Sequence, residues 1–114
     1  MALDRDALHL SHAIECARDI LTFAAEGKDI FLEDKKTRLA TLRSFEVLGE
    51  AVKRLGSDLK AKHPEIPWRR IAGFRDIVIH QYDFIDLEEV WGVIADDLPD
   101  TLRMLEAVHA ARGK

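Results

Sequence analysis

The apolar positions of this chain recur every three or four residues, which is the spacing of one face of an α-helix. Such stripes run over residues 3–24, 39–55 and 90–108, and another begins at Trp68. Strand patterns are nearly absent, because the β-branched run at 77–79 is only three residues long and lies inside a helical stripe. The pattern therefore predicts four main helices.

Residues that start, stop or bend helices divide these stripes. Asp4 and Asp86 stand where side-chain N-caps are expected. Gly56 is a candidate C-cap for the second helix, and a short helix is expected over residues 57–63. Pro99 should kink or split the last helix, because proline lacks a backbone donor. We predict an all-α fold, an antiparallel four-helix bundle with an extra short helix, in which the first two long helices form an antiparallel pair.

Length and composition bound the class of protein. At 114 residues and 13.0 kDa, the chain is predicted to form one domain over residues 1–114. Its single cysteine excludes an intramolecular disulfide and fits a reducing compartment. No stretch approaches the roughly 18 apolar residues of a membrane span, and the acidic N-terminus does not look like a signal peptide. We expect a cytoplasmic protein that does not enter a membrane.

Charge is distributed unevenly along the chain, although the net charge is only −4. Residues 35–75 hold 11 of the 17 Lys and Arg residues and only four acids. Residues 83–106 hold eight acids and one base, and residues 1–34 hold eight acids and three bases. A basic centre between acidic ends can attract a polyanion locally, although such charges also serve as solvated helix faces.

The octet at residues 75–82 concentrates reactive side chains. Arg75, Asp76, His80 and Tyr82 fall within eight positions. Arginine stays charged and its planar fork matches a phosphate, and histidine exchanges protons near neutral pH. RNA cleavage needs a base for the 2′-hydroxyl, an acid for the leaving oxygen and a cation for the phosphate. His80 suits either proton role, and Arg75 suits the cation.

The spacing of these residues limits how one helix can combine them. Arg75 and His80 lie about 140° apart on a straight helix, whereas Asp76 and His80 are one turn apart. Asp76 could therefore orient His80, and Tyr82 could bind a phosphate or stack on a base. Either the helix ends near His80 or a second copy of the chain completes the site, and we favour a two-fold homodimer.

Other polar residues carry weaker signals. His9 and His12 could form half of a metal site, but no further ligands complete it at familiar spacing. We therefore expect neither a metal nor a cofactor. Glu50 could pair with Arg75 or Arg70 across helices, or could lie on a solvated face.

Four basic residues are candidates for contacts with RNA outside the octet. They are Lys35 and Lys36 near the start of the second helix, and Arg69 and Arg70 just before the octet. Lysine and arginine side chains at such positions can neutralise phosphates. They can equally meet an acidic partner surface or remain flexible surface charges.

The octet also resembles a known family. Arg75-x4-His80-x-Tyr82 matches the RX4HXY signature of HepT-like toxins, within the HEPN superfamily of helical ribonucleases. The segments 48–51, 64–68 and 90–91 are similar to that family as well, and the resemblance spans about residues 3–108. Asp76 departs from the pattern, since many relatives have asparagine there. The resemblance implies a HEPN-like fold.

The same resemblance implies an activity and partners. HepT-like proteins are dimeric, metal-independent endoribonucleases, so Arg75 and His80 would be the catalytic pair and Asp76 a supporting residue. Their usual partner is a nucleotidyltransferase antitoxin of the MNT type, which would silence the toxin by attaching AMP to Tyr82. The added phosphate would occupy the anion site and repel RNA.

Two other functions remain open from the residues. The chain could be a non-catalytic helical subunit that binds a nucleotidyltransferase and serves as its substrate. It could also be a plain dimeric bundle with an anion-binding groove, in which replacement of His80 would have no effect.

Overall fold

The chain folds into seven α-helical segments and one π-helical segment, in a computed structural model that describes residues 4–80 and 83–112. No strand occurs in those two ranges, so the predicted all-α class is confirmed. None of the described helices is both long and apolar enough to cross a membrane. The segments are α1 Arg5–Ala24, α2 Lys28–Glu33, α3 Lys35–Lys53, α4 Ser57–Lys62, α5 Trp68–His80, α6 Leu87–Gly92, the π-helical segment Val93–Asp97 and α7 Leu98–Arg112.

Aspartate side chains cap three of the helices. Asp4 accepts a hydrogen bond from the Ala7 backbone N–H at 3.1 Å, and Asp86 accepts from the N–H groups of residues 88 and 89, as predicted. Asp34 caps α3 by accepting from the Thr37 N–H at 2.9 Å. The cap at Asp34 starts α3 one turn before its apolar stripe begins, because a capped first turn needs no buried residue.

The predicted C-cap at Gly56 is wrong. Gly56 has an extended backbone with φ −66°, and it stands directly before α4 instead of closing α3. Its N–H donates to Asp6 Oδ1 at 2.9 Å, and a β-carbon at Gly56 would lie 3.3 Å from Asp6 Oδ2. The position therefore holds a small residue because α1 passes close to it.

Helix α2 was not predicted from the sequence. It has only six residues, which is too short for a periodic pattern to indicate a helix. Gly27 turns the chain into it with φ 104°, a conformation that favours glycine. Phe31 is fully buried and its ring lies 5.7 Å from that of Trp91, so a contact distant in sequence holds α2 in place.

Pro99 affects the last helix as predicted, through a local change of helix type. The π-helical segment Val93–Asp97 immediately precedes it, and the Leu98 N–H bonds to the Val93 carbonyl five residues back. Proline has no N–H, and its ring crowds the carbonyl four residues earlier, so a wider turn relieves that clash. The last helical stripe is thereby divided into α6, the π-helical segment and α7.

The long helices pack antiparallel around one apolar core. The contact of Gly56 with Asp6 sets the end of α3 beside the start of α1, and Arg112 binds Asp4 at 2.7 Å across the ends of α7 and α1. Helix α5 packs mainly against α3. Each large core side chain contributes about 1.5–3 kcal/mol by leaving water. The largest fully buried side chains include Leu10, Ile20, Phe31, Val52, Ile66, Val78, Val90 and Leu105.

The contact between Asp4 and Arg112 predicts a pH-dependent stability. The hydrogen bond from Arg112, together with that from the Ala7 N–H, lowers the pKa of Asp4 below its ordinary value. A depressed carboxyl pKa stabilises the folded state above the unfolded pKa, and the effect disappears as the pH falls through the folded pKa. We expect Asp4→Asn, which can still cap the helix, to lower the melting temperature at pH 7, and we expect this difference to shrink as the pH is lowered from 7 towards 3.

Thermal unfolding followed by circular dichroism across this pH range tests the prediction. Asp19→Asn, an exposed acid in the same helix, is the control and should leave the melting temperature nearly unchanged throughout. A constant difference between wild type and Asp4→Asn at all pH values would contradict the assigned role of the ion pair.

Candidate active site

Arg75 is held between two carboxylates where α5 crosses α3. Its Nε lies 3.2 Å from Glu50 Oε2, and one terminal nitrogen lies 3.2 Å from Asp76 Oδ1. The side chain is 25% exposed, and it lines a cleft that is open to solvent. A charged group fixed in this way can receive an anion without a large loss of side-chain entropy.

Glu50 joins two arginines on the surface of the bundle. Its Oε1 accepts a hydrogen bond from Arg54 Nε at 3.1 Å, and its Oε2 faces Arg75. Of the two partners considered from sequence, Arg75 is the one observed, because Arg70 binds Asp97 at 3.0 Å instead. Such half-exposed pairs contribute about 0–1 kcal/mol to stability. Their main effect here is to orient Arg75.

Gly49 allows the backbones of α3 and α5 to approach closely at Arg75. Gly49 is buried, and a β-carbon built there would lie 2.3 Å from the β-carbon of Arg75. No real side chain fits at that distance, so every other residue would push the two helices apart. Sequence analysis did not assign a role to Gly49, although a glycine within a helical stripe signals close packing.

His80 is the last residue of α5 and is exposed to solvent. Because it follows Arg75 by five positions, the two side chains leave the helix about 140° apart. Arg75 faces α3, whereas His80 is exposed to solvent. One protomer therefore presents the two residues on different sides of α5.

Asp76 contacts Arg75 and not His80 in the structure. Within residues 4–80 and 83–112, no hydrogen bond or ion pair joins Asp76 to His80, so the expected orienting contact is not observed. The exposed side chain of Asp76 turns to its neighbour Arg75, whose charge attracts it. A supporting role for Asp76 stays a prediction, and it would act through Arg75. Tyr82, the predicted acceptor of AMP, lies outside the described residues.

The four basic residues predicted to bind RNA lie away from Arg75. Arg70 pairs with Asp97 on the side of α5 that faces the last helix, and Arg69 is exposed near the start of α5. Lys35 and Lys36 are exposed in the first turn of α3. The structure does not bring these side chains together with Arg75, and their role in RNA binding stays a prediction.

A cleft of about 390 Å³ surrounds Arg75 between α1, α3 and α5. We call it the Arg75 cleft. Sequence analysis did not group its members, because only the packing of three helices brings them together. Within the described ranges, no three His, Cys, Asp or Glu side chains are close enough to hold a metal ion. The polar residues that line the cleft are His9 and His12 from α1, Arg43, Glu46, Glu50 and Arg54 from α3, and Arg75 from α5.

Phe84 is a further residue that sequence analysis did not single out. It lies in the segment between α5 and α6, and 89% of its side chain is exposed, the highest value among the large apolar side chains described. An aromatic residue in a polar segment gives no sequence signal for exposure, since such rings are usually buried. Phe84 follows the predicted catalytic residue His80 by four positions, so an exposed ring lies close to it in sequence.

Comparison with known proteins supports a single family. The profile of the family described as "Ribonuclease HepT-like" matches residues 13–108. A protein of Methanocaldococcus jannaschii named "Putative RNase MJ0127" is 40% identical over 96 residues, covering 83% of this chain and 79% of that protein. One of Thermococcus cleftensis named "Probable ribonuclease HepT" is 46% identical over 69 residues, covering 60% of this chain and 63% of that protein.

Similarity also extends over nearly the full length of a bacterial protein. "Putative RNase TTE0752" of Caldanaerobacter subterraneus subsp. tengcongensis is 35% identical over 101 residues, covering 88% of this chain and 90% of that protein. No solved structure matches the chain.

Gly49 and Gly73 have different surroundings, so we predict opposite effects on stability when each is replaced by alanine. Gly49→Ala should destabilise the fold by about 1–3 kcal/mol, because the new methyl group overlaps the stem of Arg75. Gly73→Ala on α5 is the matched control. No atom lies within 4 Å of a β-carbon at Gly73, so alanine should stabilise that helix by roughly 0.5–1 kcal/mol.

Urea unfolding of both variants measures these free energies. Equal stability of Gly49→Ala and wild type would show that the helices do not pack as closely as described.

Proposed function

Since this chain belongs to the HepT-like ribonuclease family, we propose that it cleaves RNA internally and without a metal ion, with Arg75 and His80 as the catalytic residues. The observation that carries this proposal is the setting of Arg75. Its side chain is partly exposed and lines a cleft, while Glu50 and Asp76 both contact its guanidinium at 3.2 Å.

The proposed reaction uses the 2′-hydroxyl of the RNA as the nucleophile. A base removes its proton, the oxygen attacks the phosphorus, and the bond from phosphorus to the 5′-oxygen breaks. That leaving oxygen takes a proton from an acid, so protons balance and a cyclic phosphate is left. His80 supplies one of the two proton transfers, and Arg75 stabilises the negative charge that gathers on the phosphate.

A two-fold homodimer would bring these residues together. Arg75 and His80 leave α5 in different directions, so one straight helix does not present both to one phosphate. Ile77, which lies on the His80 side of the same helix, is an exposed large apolar side chain, which suits burial against a second copy. In the proposed dimer, His80 of one protomer approaches Arg75 of its partner.

We also propose that a nucleotidyltransferase of the MNT type neutralises the protein. Tyr82 follows His80 by two residues, and its hydroxyl can accept an AMP group from ATP, with pyrophosphate leaving. The added phosphate would compete with RNA for Arg75. This makes the chain the toxin of a toxin–antitoxin pair that acts in the cytoplasm.

The activity is tested by cleavage of mixed RNA in the presence of EDTA. We expect His80→Ala to lower the rate by about 10²–10⁴-fold, because it removes a general acid or base. His109→Ala, in the last turn of α7, is the matched control and should cleave like wild type. Circular dichroism checks that both variants fold.

Equal cleavage by wild type and His80→Ala would assign the activity to a contaminant. If the transferase adds AMP to Tyr82, but the protein cleaves no RNA either with or without that AMP, the chain is a non-catalytic substrate subunit.

Mixing two inactive variants tests the shared site. Arg75→Ala and His80→Ala should each be inactive alone. Equal mixing of their subunits produces heterodimers in half of the molecules, each with one complete site, so about a quarter of the wild-type activity should return. The measurement is RNA cleavage after the variants are unfolded together and refolded. No recovery, with heterodimers present by mass spectrometry, would place both residues of each site on one chain.

A further inference from the structure

The Arg75 cleft continues well beyond Arg75 and is bordered by cations that the proposed reaction does not use. Arg43 and Arg54 stand on α3 at its edge, eleven residues apart, which corresponds to about 16 Å along a helix. One phosphate cannot contact both. The cleft therefore suits a chain of phosphates better than a single phosphate group or a mononucleotide.

The positive charges in this cleft lie outside the negative ones. Arg43 is 73% exposed while its partner Glu46 is 24% exposed, and the two are 2.8 Å apart. Arg54 is 63% exposed while its partner Glu50 is 39% exposed. A polyanion that approaches the cleft meets the guanidinium groups before the carboxylates. Exposed ion pairs of this kind are weak, so each arginine can exchange its carboxylate for a phosphate at little cost.

The opposite wall of the cleft adds two imidazole groups that can hydrogen-bond a phosphate. His9 and His12 are three residues apart on α1, so both face the same side of that helix, and both line the cleft. The cations Arg43, Arg54 and Arg75 and the anions Glu46 and Glu50 also line the cleft, and Asp76 contacts Arg75 beside it. The cleft thus offers phosphate contacts from two helices, α1 and α3.

We propose that the Arg75 cleft binds the RNA backbone beside the cleaved phosphate, with Arg43 and Arg54 of α3 and His9 and His12 of α1 as phosphate contacts. This inference rests on the proposed ribonuclease function, because Arg75 is the point where the cleft meets the reaction. RNA suits the cleft better than an acidic protein, since the cleft adjoins Arg75, where the phosphate of the proposed reaction binds.

The arginine contacts are tested by fluorescence anisotropy with a labelled, fully 2′-O-methylated oligonucleotide, which the enzyme can bind but cannot cleave. The variant Arg43→Gln/Arg54→Gln should bind about tenfold more weakly than wild type. For this variant, the slope of log affinity against log salt concentration should be smaller in magnitude by about 1.4, or roughly 0.7 for each lost contact. Arg18→Gln/Arg103→Gln, which removes two exposed cations of α1 and α7, should match wild type.

The histidine contacts are tested with the same oligonucleotide. His9→Ala/His12→Ala should bind several-fold more weakly than wild type, because both imidazoles that can hydrogen-bond a phosphate from α1 are removed. His109→Ala, in the last turn of α7, is the control and should bind like wild type. Equal binding by the double histidine variant and wild type overturns the histidine contacts.

Cleavage and oligomeric state, measured on the same preparations, separate the possible failures. If wild type cleaves RNA and neither double variant binds differently from it, the cleft proposal falls while the ribonuclease stands. If wild type binds through the cleft but does not cleave, the proposed function falls instead. A change in molar mass of the double variants by light scattering would show that the cleft is a protein interface, which also overturns the proposal.

Discussion

The contact between α3 and α5 at Gly49 is the constraint on which the position of Arg75 depends. Because Gly49 has no β-carbon, the stem of Arg75 packs directly on the backbone of α3. That proximity brings Glu50, the next residue of α3, within 3.2 Å of the guanidinium. A single small residue thus sets the distance between two helices and, through it, the partner and the exposure of the arginine.

The ion pairs around Arg75 orient its guanidinium but are weak enough for an anion to replace them. Glu50 and Asp76 keep Arg75 oriented, yet both are accessible enough that water weakens their hold. The same holds along α3, where Arg43 and Arg54 are each more exposed than the glutamate with which they pair. Ion pairs of this kind contribute little to the stability of the fold, and they leave the arginines available to a competing polyanion.

The fold was largely predictable because local signals agreed with one another. The apolar stripes gave four main helices, and the caps at Asp4 and Asp86 formed where their side chains allow. Pro99 changed the last helix because the missing N–H acts locally. Two features were not predicted correctly, because they depend on contacts between residues distant in sequence. Helix α2 depends on the contact of Phe31 with Trp91, and the backbone at Gly56 depends on Asp6, and both partners are distant in sequence.

The sequence by itself determined the helical class, most helix ends and the residue types available for chemistry, because these follow from spacing and local hydrogen bonding. Only the tertiary structure decided which side chains meet. It paired Glu50 with Arg75, placed Asp76 in contact with Arg75, and gathered His9 and His12 with three arginines in one cleft. The reason is physical: periodicity specifies the apolar face of each helix, but the angle and distance between helices decide which polar side chains become neighbours.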